Sequence, residues 1–374
     1  MFKTKMMNRA YFIVQLVFVA TIAWAQERPL DMKMDFEDYN PPSSLVVPEH
    51  HITKAKFPFV DIHNHQFRMA TMDLNELIQE MDNMNMAVMN NLSGRGRGDT
   101  EHLDKSLQNV KDNFPRRFIV FTNVDFNSVD EAGWTERAVK QLEEDVKKGA
   151  VGLKVYKSLG MFNKDSKGNR VAIDDPRIDP VWDKCGELGI PVLIHSADPH
   201  QFWQPIDNQN ERWLELKTRP GRRHDNDQIS WEKIIAEQHN IFKKHPKTNF
   251  INAHMGWYAS DLKKLSELMD QYPNMYTEIG AIIAELGRQP RTAKAFITKY
   301  QNRVLFGKDS WVPEEYETYF RVLESEDEYF PYHKRYHAFW RMYGLGLSDD
   351  VLKKVYYKNA IRLIPKIDKS LFPD

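Results

Sequence analysis

The sequence predicts an α/β protein in which parallel strands close into a (β/α)8 barrel, with extra helices at the C-terminal end. Short apolar runs alternate with helical patterns along residues 57–307, which is the order of elements in such barrels. Several of these runs end in residues that can bind a metal ion, and the strand ends of a barrel converge on one face. The 374 residues exceed the roughly 250 that one barrel needs.

The first half of the barrel shows the alternation clearly. Phe57–Phe67 is an apolar run that predicts the first strand, and Leu74, Leu77, Ile78 and Met81 have the spacing of an amphipathic helix. The strands predicted next are Ala87–Leu92, Arg117–Val124, Ala150–Tyr156 and Ile190–His195. The helices predicted here are Asp73–Met86, Thr100–Phe114, Trp134–Lys148 and Pro176–Leu188, the last two closed by Gly149 and Gly189.

The second half continues the pattern after a long polar segment, Ser196–Asp227. The strands predicted there are Thr248–His254, Met275–Ile279 and Val304–Gly307. The helices predicted there are Ser230–Lys244, Ser260–Met269 and Thr292–Tyr300. The remainder up to Ile364, with its aromatic-rich middle from Tyr316 to Tyr343, is expected to be helical. Residues 57–365 thus form the predicted barrel domain, and residues 366–374 form a short tail.

Residues 1–25 have the pattern of a secretory signal peptide. Lys3, Lys5 and Arg9 precede the apolar stretch Ala10–Ala23, and residues 23–25 form an A-x-A cleavage signal. The stretch is short for a transmembrane anchor, so we expect cleavage before Gln26, no stable membrane anchor afterwards, and a periplasmic or secreted protein. Residues 26–56 are proline-rich and are expected to form an extended arm.

Charge and cysteine content exclude some classes of protein. Lys and Arg number 52 and Asp and Glu number 53, giving a net charge of −1, so no global basic excess favours nucleic acid. Cys185 is the single cysteine; it excludes an intramolecular disulfide and is best interpreted as a small buried hydrophobe. The expected partner is a small molecule, and homo-oligomerisation stays open.

Candidate metal ligands stand at the ends of the predicted strands. His63 and His65 are two residues apart on a strand and therefore point to the same face. His195, His254 and Asp309 follow the fifth, sixth and eighth strands. Each alone could be a satisfied polar residue at a loop edge, but together they have the ligand types that zinc prefers, with a carboxylate that can accept a proton.

These residues resemble the amidohydrolase superfamily, specifically its amidohydrolase-related branch, which includes hydrolases and metal-dependent non-oxidative decarboxylases. The resemblance covers about residues 57–365 and includes Asn359-Ala-Ile-Arg-Leu363, which is similar to the usual C-terminal helix of the family. It implies a barrel enzyme with a divalent metal held by His63, His65, His195 and Asp309.

Lys154, on the fourth strand, bears on the number of metal ions. In binuclear relatives a lysine at the matching position is carboxylated and bridges two metals, whereas in mononuclear relatives the histidine matching His254 acts on substrate or water. The resemblance implies one metal, most simply Zn2+, or two if Lys154 is carboxylated. The alternative for Lys154 is an ammonium group that binds a substrate carboxylate or pairs with Asp309.

Four residues are candidates for substrate binding because they follow predicted strands on the catalytic face. Tyr156 and Trp257 come directly after site residues. Arg97 lies in the basic loop Ser93–Gly98, whose spacing does not match a P-loop. Trp203 lies in the segment 196–227, where aromatic and arginine side chains suit a flat, anionic substrate; a solvated insertion or a subunit contact is the alternative.

The predicted function is metal-dependent hydrolysis, in which activated water attacks the carbonyl carbon of an amide, lactone or ester in a small anionic substrate. Asp309 is expected to accept the proton, and His254 to polarise the carbonyl or protonate the leaving group. The alternatives are a non-oxidative decarboxylase using the same site and, third, a non-catalytic periplasmic binding protein.

Overall fold

The computed structural model describes residues 33–96, 98–334, 337 and 340–373. The chain divides into two units, residues 1–42 and 43–374. The described part of the first unit is fully exposed and holds one 3-10 turn, Phe36–Asp38. The predicted signal peptide and the start of the predicted arm lie outside the described residues. No helix in the described part of the chain combines the length and the apolar character needed to cross a bilayer.

Residues 43–374 contain a set of short parallel strands whose residues are almost all buried. The strands are β1 (Phe59–Asn64), β2 (Met86–Asn91), β3 (Phe118–Val120), β4 (Thr122–Asn123), β5 (Leu153–Val155), β6 (Val192–Ile194), β7 (Phe250–Asn252), β8 (Met275–Glu278) and β9 (Val304–Leu305). They pair in sequence order, β1-β2-β3 and β4 through β9. The predicted α/β class with parallel strands is confirmed.

The two sheets join into a closed ring. β3 and β4 are halves of one strand separated by Phe121, whose N–H donates to Asn91, while Thr122 donates to Gly152 on the other side. At the opposite seam the N–H of Ile62 donates to Phe306, and Asn64 forms a parallel bridge with Asp309. The first and last strands therefore meet, as the barrel prediction requires.

Helices cover the outside of the ring and connect its strands. They are α1 (Leu74–Asn83), α2 (Thr100–Asn113), α3 (Trp134–Lys148), α4 (Ser158–Met161), α5 (Asp179–Glu187), α6 (Trp213–Thr218), α7 (Trp231–Lys244), α8 (Leu262–Gln271), α9 (Ile283–Arg288), α10 (Pro290–Lys299), α11 (Pro313–Glu324), α12 (Asp349–Lys353) and α13 (Asn359–Leu363). Side chains of Asp73, Asp99 and Ser230 cap α1, α2 and α7 by accepting backbone N–H groups.

The segment after α11 corrects one expectation. Residues predicted to be helical instead form an antiparallel hairpin, β10 (Phe330–Pro331) and β11 (Arg341–Met342). Phe330 and Tyr332 are buried while Pro331 between them is exposed, so the burial has a period of two rather than 3.6. The helix prediction relied on the abundance of aromatic residues and was wrong here. The alternation of buried and exposed residues means that an extended segment, not a helix, buries the rings of Phe330 and Tyr332.

The final helices support the last strand of the barrel. α12 and α13 are joined by a π-helical turn, Lys354–Lys358, in which the Val355 carbonyl accepts the N–H of Phe306. The Asn359 side chain donates to the carbonyls of Gln301 (2.8 Å) and Val304 (2.7 Å). Because β9 is only two residues long, these contacts supply hydrogen bonds that a longer strand would make for itself.

Candidate metal centre

The end of β1 carries two histidines into the interior of the barrel. His63 is completely buried and His65 follows it at the strand end. Their Nε2 atoms lie 3.4 and 3.6 Å from the same carboxylate oxygen, Oδ1 of Asp309. The i, i+2 spacing thus brings both imidazoles to one point, as the sequence predicts.

Asp309 reaches this point because the chain turns sharply after β9. Its backbone is left-handed (φ 84°) and its N–H donates to the His63 carbonyl at 2.6 Å. A left-handed conformation is uncommon for residues other than glycine, although asparagine, aspartate and histidine adopt it more often than the rest. The hydrogen bond to β1 holds the turn, so the carboxylate is placed by the closure of the barrel itself.

His195 and His254 complete the set predicted from the strand ends. The ring of His254 packs edge-on against His195, with 4.5 Å between ring centres, and stacks on His63 at 4.9 Å. His63, His254 and Asp309 each offer one atom within 4.8 Å of the others. Five of the predicted strand-end residues are therefore brought together.

An unusual backbone segment holds His254. The predicted strand 248–254 ends at Asn252, and the four residues His254–Trp257 are all left-handed, with φ between 54° and 62°. Each non-glycine residue in this region costs about 1–2 kcal/mol. Such strain persists where surrounding contacts fix it and is typical of functional sites.

Glu278, at the end of β8, is the residue that sequence reasoning missed. It is completely buried. One carboxylate oxygen lies 3.0 Å from Nδ1 of His63 and accepts the N–H of His254 at 2.6 Å, while the other accepts the N–H of Gly280. The available signal was a carboxylate near the end of the predicted strand Met275–Ile279, where the structure ends β8 at Glu278.

Two glycines make room for that carboxylate. A Cβ atom at Gly280 or at Gly307 would lie 2.7 Å from Oε2 of Glu278, too close for carbon against oxygen. The packing around Glu278 is therefore specific to glycine at both positions, and the carboxylate is held rigidly between β8 and β9.

The hydrogen bonds assign the protons on two of the histidines. Nδ1 of His63 faces the Glu278 carboxylate and Nδ1 of His254 faces the Gly280 carbonyl at 2.8 Å, both of which can only accept. Nδ1 of His65 lies 2.8 Å from the Ser93 hydroxyl, which can donate or accept. A neutral imidazole that donates from Nδ1 carries its lone pair on Nε2. The Nε2 atoms of His63 and His254 are therefore acceptors directed away from these partners.

Those acceptors match a cation. The Nε2 atoms of His195 and His254 are buried without a hydrogen-bond partner among the described residues, and those of His63 and His65 face a carboxylate oxygen. The Lys154 ammonium is a donor 3.4 Å from Nε2 of His63, but the other Nε2 atoms have no donor among the described residues. Acceptors that converge in this way need a proton or a metal ion to offset their repulsion. The donor set, imidazoles with one carboxylate, fits a divalent transition metal.

Burial and charge put these groups in the protonation states that a metal requires. Burial, followed by the positive charge of Lys154, lowers the pKa of His63 far below its usual range and that of His65 to about 4; burial likewise lowers that of His195. Burial alone would raise the pKa of Asp309, but its histidine neighbours and Lys154 hold it at about 2. The imidazoles are thus neutral and the carboxylate ionised near neutral pH.

Lys154 also lies in the centre, on β5. Its Nζ is 3.4 Å from Nε2 of His63 and the side chain is almost completely buried. Burial lowers the pKa of the ammonium to about 8, against the opposing effect of Asp309 and Glu278. This position of Lys154 fits both of the states that the sequence suggests for its side chain: an ammonium beside one metal ion, or a carbamate that bridges two.

A cavity of about 260 Å³ opens above the centre, and His195, His254, Asp309 and Trp257 line it. Its other walls come from Lys157, from the segment 198–222 and from the hairpin, through Lys334 and His337. Trp257 is therefore where the sequence predicts it. The polar segment 196–227 is not simply a solvated insertion, since it contains the helix α6, whose Leu214 and Leu216 side chains are buried.

The other predicted substrate residues have different positions. Tyr156 stacks on His65 (5.6 Å between ring centres) and its hydroxyl lies 2.9 Å from that of Ser93, so it supports a histidine. Trp203 is not brought to the cavity, because its N–H donates to the Ile229 carbonyl and its ring stacks on His224. Arg97 lies outside the described residues.

Comparison with solved structures shows the same fold at low sequence identity. A dihydroxybenzoic acid decarboxylase from Polaromonas sp. JS666, solved with manganese and 2-nitroresorcinol, matches with a TM-score of 0.55 and 14% identity, over 84% of this chain and 99% of that one. An uncharacterised TIM-barrel protein from Bordetella bronchiseptica gives 0.52 and 15%, over 83% and 99%. A 4-oxalomesaconate hydratase from Rhodopseudomonas palustris gives 0.50 and 14%, over 84% and 97%.

Comparison at the level of sequence gives the family. No curated protein matches the chain significantly. The amidohydrolase family model, however, matches residues 47–366, which includes every strand of the barrel and every residue of the centre described above. The chain therefore belongs to the amidohydrolase family.

Proposed function

We propose that the chain is a metal-dependent hydrolase that adds water to the carbonyl carbon of an amide, lactone or ester. The observation that carries the proposal is the convergence of histidine Nε2 atoms near the Asp309 carboxylate, beside a cavity that His195, His254 and Asp309 line. The Nε2 atoms of His195 and His254 have no hydrogen-bond partner among the described residues. His63, His65, His195 and Asp309 would hold the ion, and imidazole-rich ligand sets suit Zn2+. A divalent ion bound there supplies Lewis acidity and lowers the pKa of water.

The side chains of the centre can carry the protons of the reaction. Asp309 is ionised and lines the cavity, so it can accept the proton that water loses on attack. The Nε2 atom of His254 has no hydrogen-bond partner among the described residues, and its Nδ1–H donates to the Gly280 carbonyl. His254 and Asp309 offer atoms within 4.8 Å of each other, so the proton that Asp309 takes from water can pass to the Nε2 of His254. The resulting imidazolium can donate that same proton to the leaving oxygen or nitrogen when the carbonyl-to-heteroatom bond breaks.

Decarboxylation is the second candidate, favoured by Lys334, a cation that lines the cavity and suits an acid substrate. The dihydroxybenzoic acid decarboxylase that shares the fold is consistent with this second candidate.

A screen against small lactones, amides and aromatic acids separates the candidate functions. It should use a zinc- or manganese-loaded preparation of the protein. Acid release supports the hydrolase and CO2 release the decarboxylase. If some compounds bind but none is turned over, the third hypothesis, a non-catalytic binding protein, would remain.

The His254→Asn variant separates chemistry from metal binding. Asparagine, like histidine, is one of the non-glycine residues that most often adopt the left-handed backbone found at this position, so the turn should survive. We expect bound metal to be retained and turnover to fall about a hundredfold or more, the usual scale for a general acid or base. Metal analysis beside steady-state rates tests this, and loss of the metal would make His254 a ligand.

The Lys154→Ala variant tests the number of metal ions, with Lys154→Met as a partner that preserves volume at this buried site. We propose one metal beside an ammonium, because an ammonium repels a second nearby cation by several kcal/mol at intermediate dielectric, on the order of the Coulomb estimate. Both variants should then keep about one metal equivalent when loaded in bicarbonate. Loss of two equivalents would show that a carboxylated Lys154 bridges a pair.

We also propose that the protein acts in the periplasm or outside the cell. This proposal rests on the signal-peptide pattern of residues 1–25 alone.

A further inference from the structure

The cavity above the metal centre is lined by four cationic side chains, and one of them differs from the rest. The first, Lys157, is matched by Asp198, whose two carboxylate oxygens lie 2.7 and 2.6 Å from its ammonium. This pair carries no net charge, so Lys157 has little capacity left for an anionic ligand.

Two further cations, Arg212 and Arg222, belong to a second balanced cluster. Glu215 accepts from Arg222 at 2.5 Å and from Arg212 at 2.9 Å, and Glu285 accepts from the other end of Arg212. Arg212, Glu215 and Glu285 are all nearly fully buried. Two guanidinium groups therefore face two carboxylates, and the cluster is neutral.

Lys334 is the remaining cation. It lines the cavity from the hairpin side and is half-buried. Among the residues that the structure describes, no carboxylate lies within ion-pairing distance of its ammonium; the nearby Glu315 is paired with Lys308 instead. A partly buried ammonium without a counterion is costly to leave unmatched, and here it faces the space that a substrate would fill.

We propose that Lys334 binds an anionic group of the substrate, so that the enzyme acts on compounds with a carboxylate or similar anion apart from the bond that reacts. This inference rests on the proposed function and deepens it by naming the substrate class. The charge balance carries it, because the other cations of the cavity are neutralised by protein carboxylates whereas Lys334 has no such partner in the described part of the chain. The anion would thus be supplied by the ligand.

The test uses pairs of probes that differ by one carboxylate: isophthalate against benzoate, and glutarate against butyrate. Calorimetric titration of the zinc-loaded protein gives the Kd of each compound. The advantage of a dianion is the ratio of the Kd of its monoanion to its own Kd. We expect wild type to bind at least one dianion about tenfold to a hundredfold more tightly, the range of a charge-assisted hydrogen bond. Lys334→Gln should lose that advantage, and Lys334→Arg should retain most of it.

The matched control is Lys299→Gln, which removes a lysine paired with Asp270 on the outer surface and should leave the advantage unchanged. Equal binding of dianions and monoanions by wild type, or an advantage that survives in Lys334→Gln, overturns the proposal. These measurements need no turnover. A subsite that binds dianions in a protein without catalysis would refute the proposed function alone, whereas turnover of uncharged substrates with no effect of Lys334→Gln on KM would refute the subsite alone.

Discussion

The double variant His63→Ala/His65→Ala is expected to lose tight metal binding and all measurable turnover. These histidines supply two Nε2 acceptors directed at Asp309. Apparent binding free energies of about 10–16 kcal/mol for structural zinc are shared among the ligands. Losing two of them should therefore raise the Kd for zinc by on the order of a thousandfold or more. Plasma emission analysis after dialysis gives the metal content.

The control for this variant is His239→Ala. His239 is another partly buried histidine whose Nε2 has no partner among the described residues, but it packs against Tyr258 and Tyr272 outside the centre. The His239→Ala variant should therefore keep one full metal equivalent per chain. If the double variant also keeps one equivalent, the pair of histidines is not the metal site, whatever its activity.

The Glu278→Gln variant should have the second-largest effect, although this residue offers no ligand atom of its own in our proposal. Its carboxylate accepts from His63, from the N–H of His254 and from that of Gly280. The amide nitrogen of glutamine would place a donor against these donors, leaving one or more of them unsatisfied. Loss of such a carboxylate partner typically weakens metal affinity about tenfold to a hundredfold, and we expect turnover to fall at least as far.

Glu237→Gln separates this effect from simple destabilisation. Glu237 is also almost completely buried and accepts from Arg170 and from the N–H of Ile173, away from the centre. Both variants should lower the melting temperature, because each leaves buried donors unpaired at about 1–3 kcal/mol. Only Glu278→Gln should weaken metal binding, as measured by competition with a chelating dye. Equal metal affinity in the two variants would reduce Glu278 to a packing role.

The positions of the candidate ligands could be predicted from the sequence because strand periodicity is local. His63 and His65 share a face through their spacing, and His195 stands directly after an apolar run. In a parallel barrel the ends of such runs meet on one face, so their spatial proximity follows from the fold class. Glu278 obeys the same logic, but it lay inside a run predicted to continue to Ile279 and so was not recognised as a strand end.

Other features depend on contacts between distant parts of the chain. The left-handed turn at His254–Trp257 is held partly by Glu278, and Trp203 turns away from the cavity because Ile229 and His224 offer it a partner and a stacking surface. The hairpin after α11 buries Phe330 and Tyr332 by alternation within an aromatic-rich segment. None of these interactions is encoded in a local window, so propensity and spacing alone could not locate them.

The seam between β1 and β9 has a consequence for the order in which the molecule is built. His63 comes from the first strand of the barrel and Asp309 from the turn after the last, and the Asp309 N–H is bonded directly to the His63 carbonyl. During synthesis the Asp309 carboxylate emerges only after all the strands of the barrel, β1 to β9. The end of β9 then gains hydrogen bonds from the helical segments that follow. A complete metal pocket thus exists only once the ring has closed, and binding there favours the closed state over open ones by mass action. A bound ion would therefore stabilise the closed barrel. The metal content of a preparation would then report the fraction of chains that have completed folding.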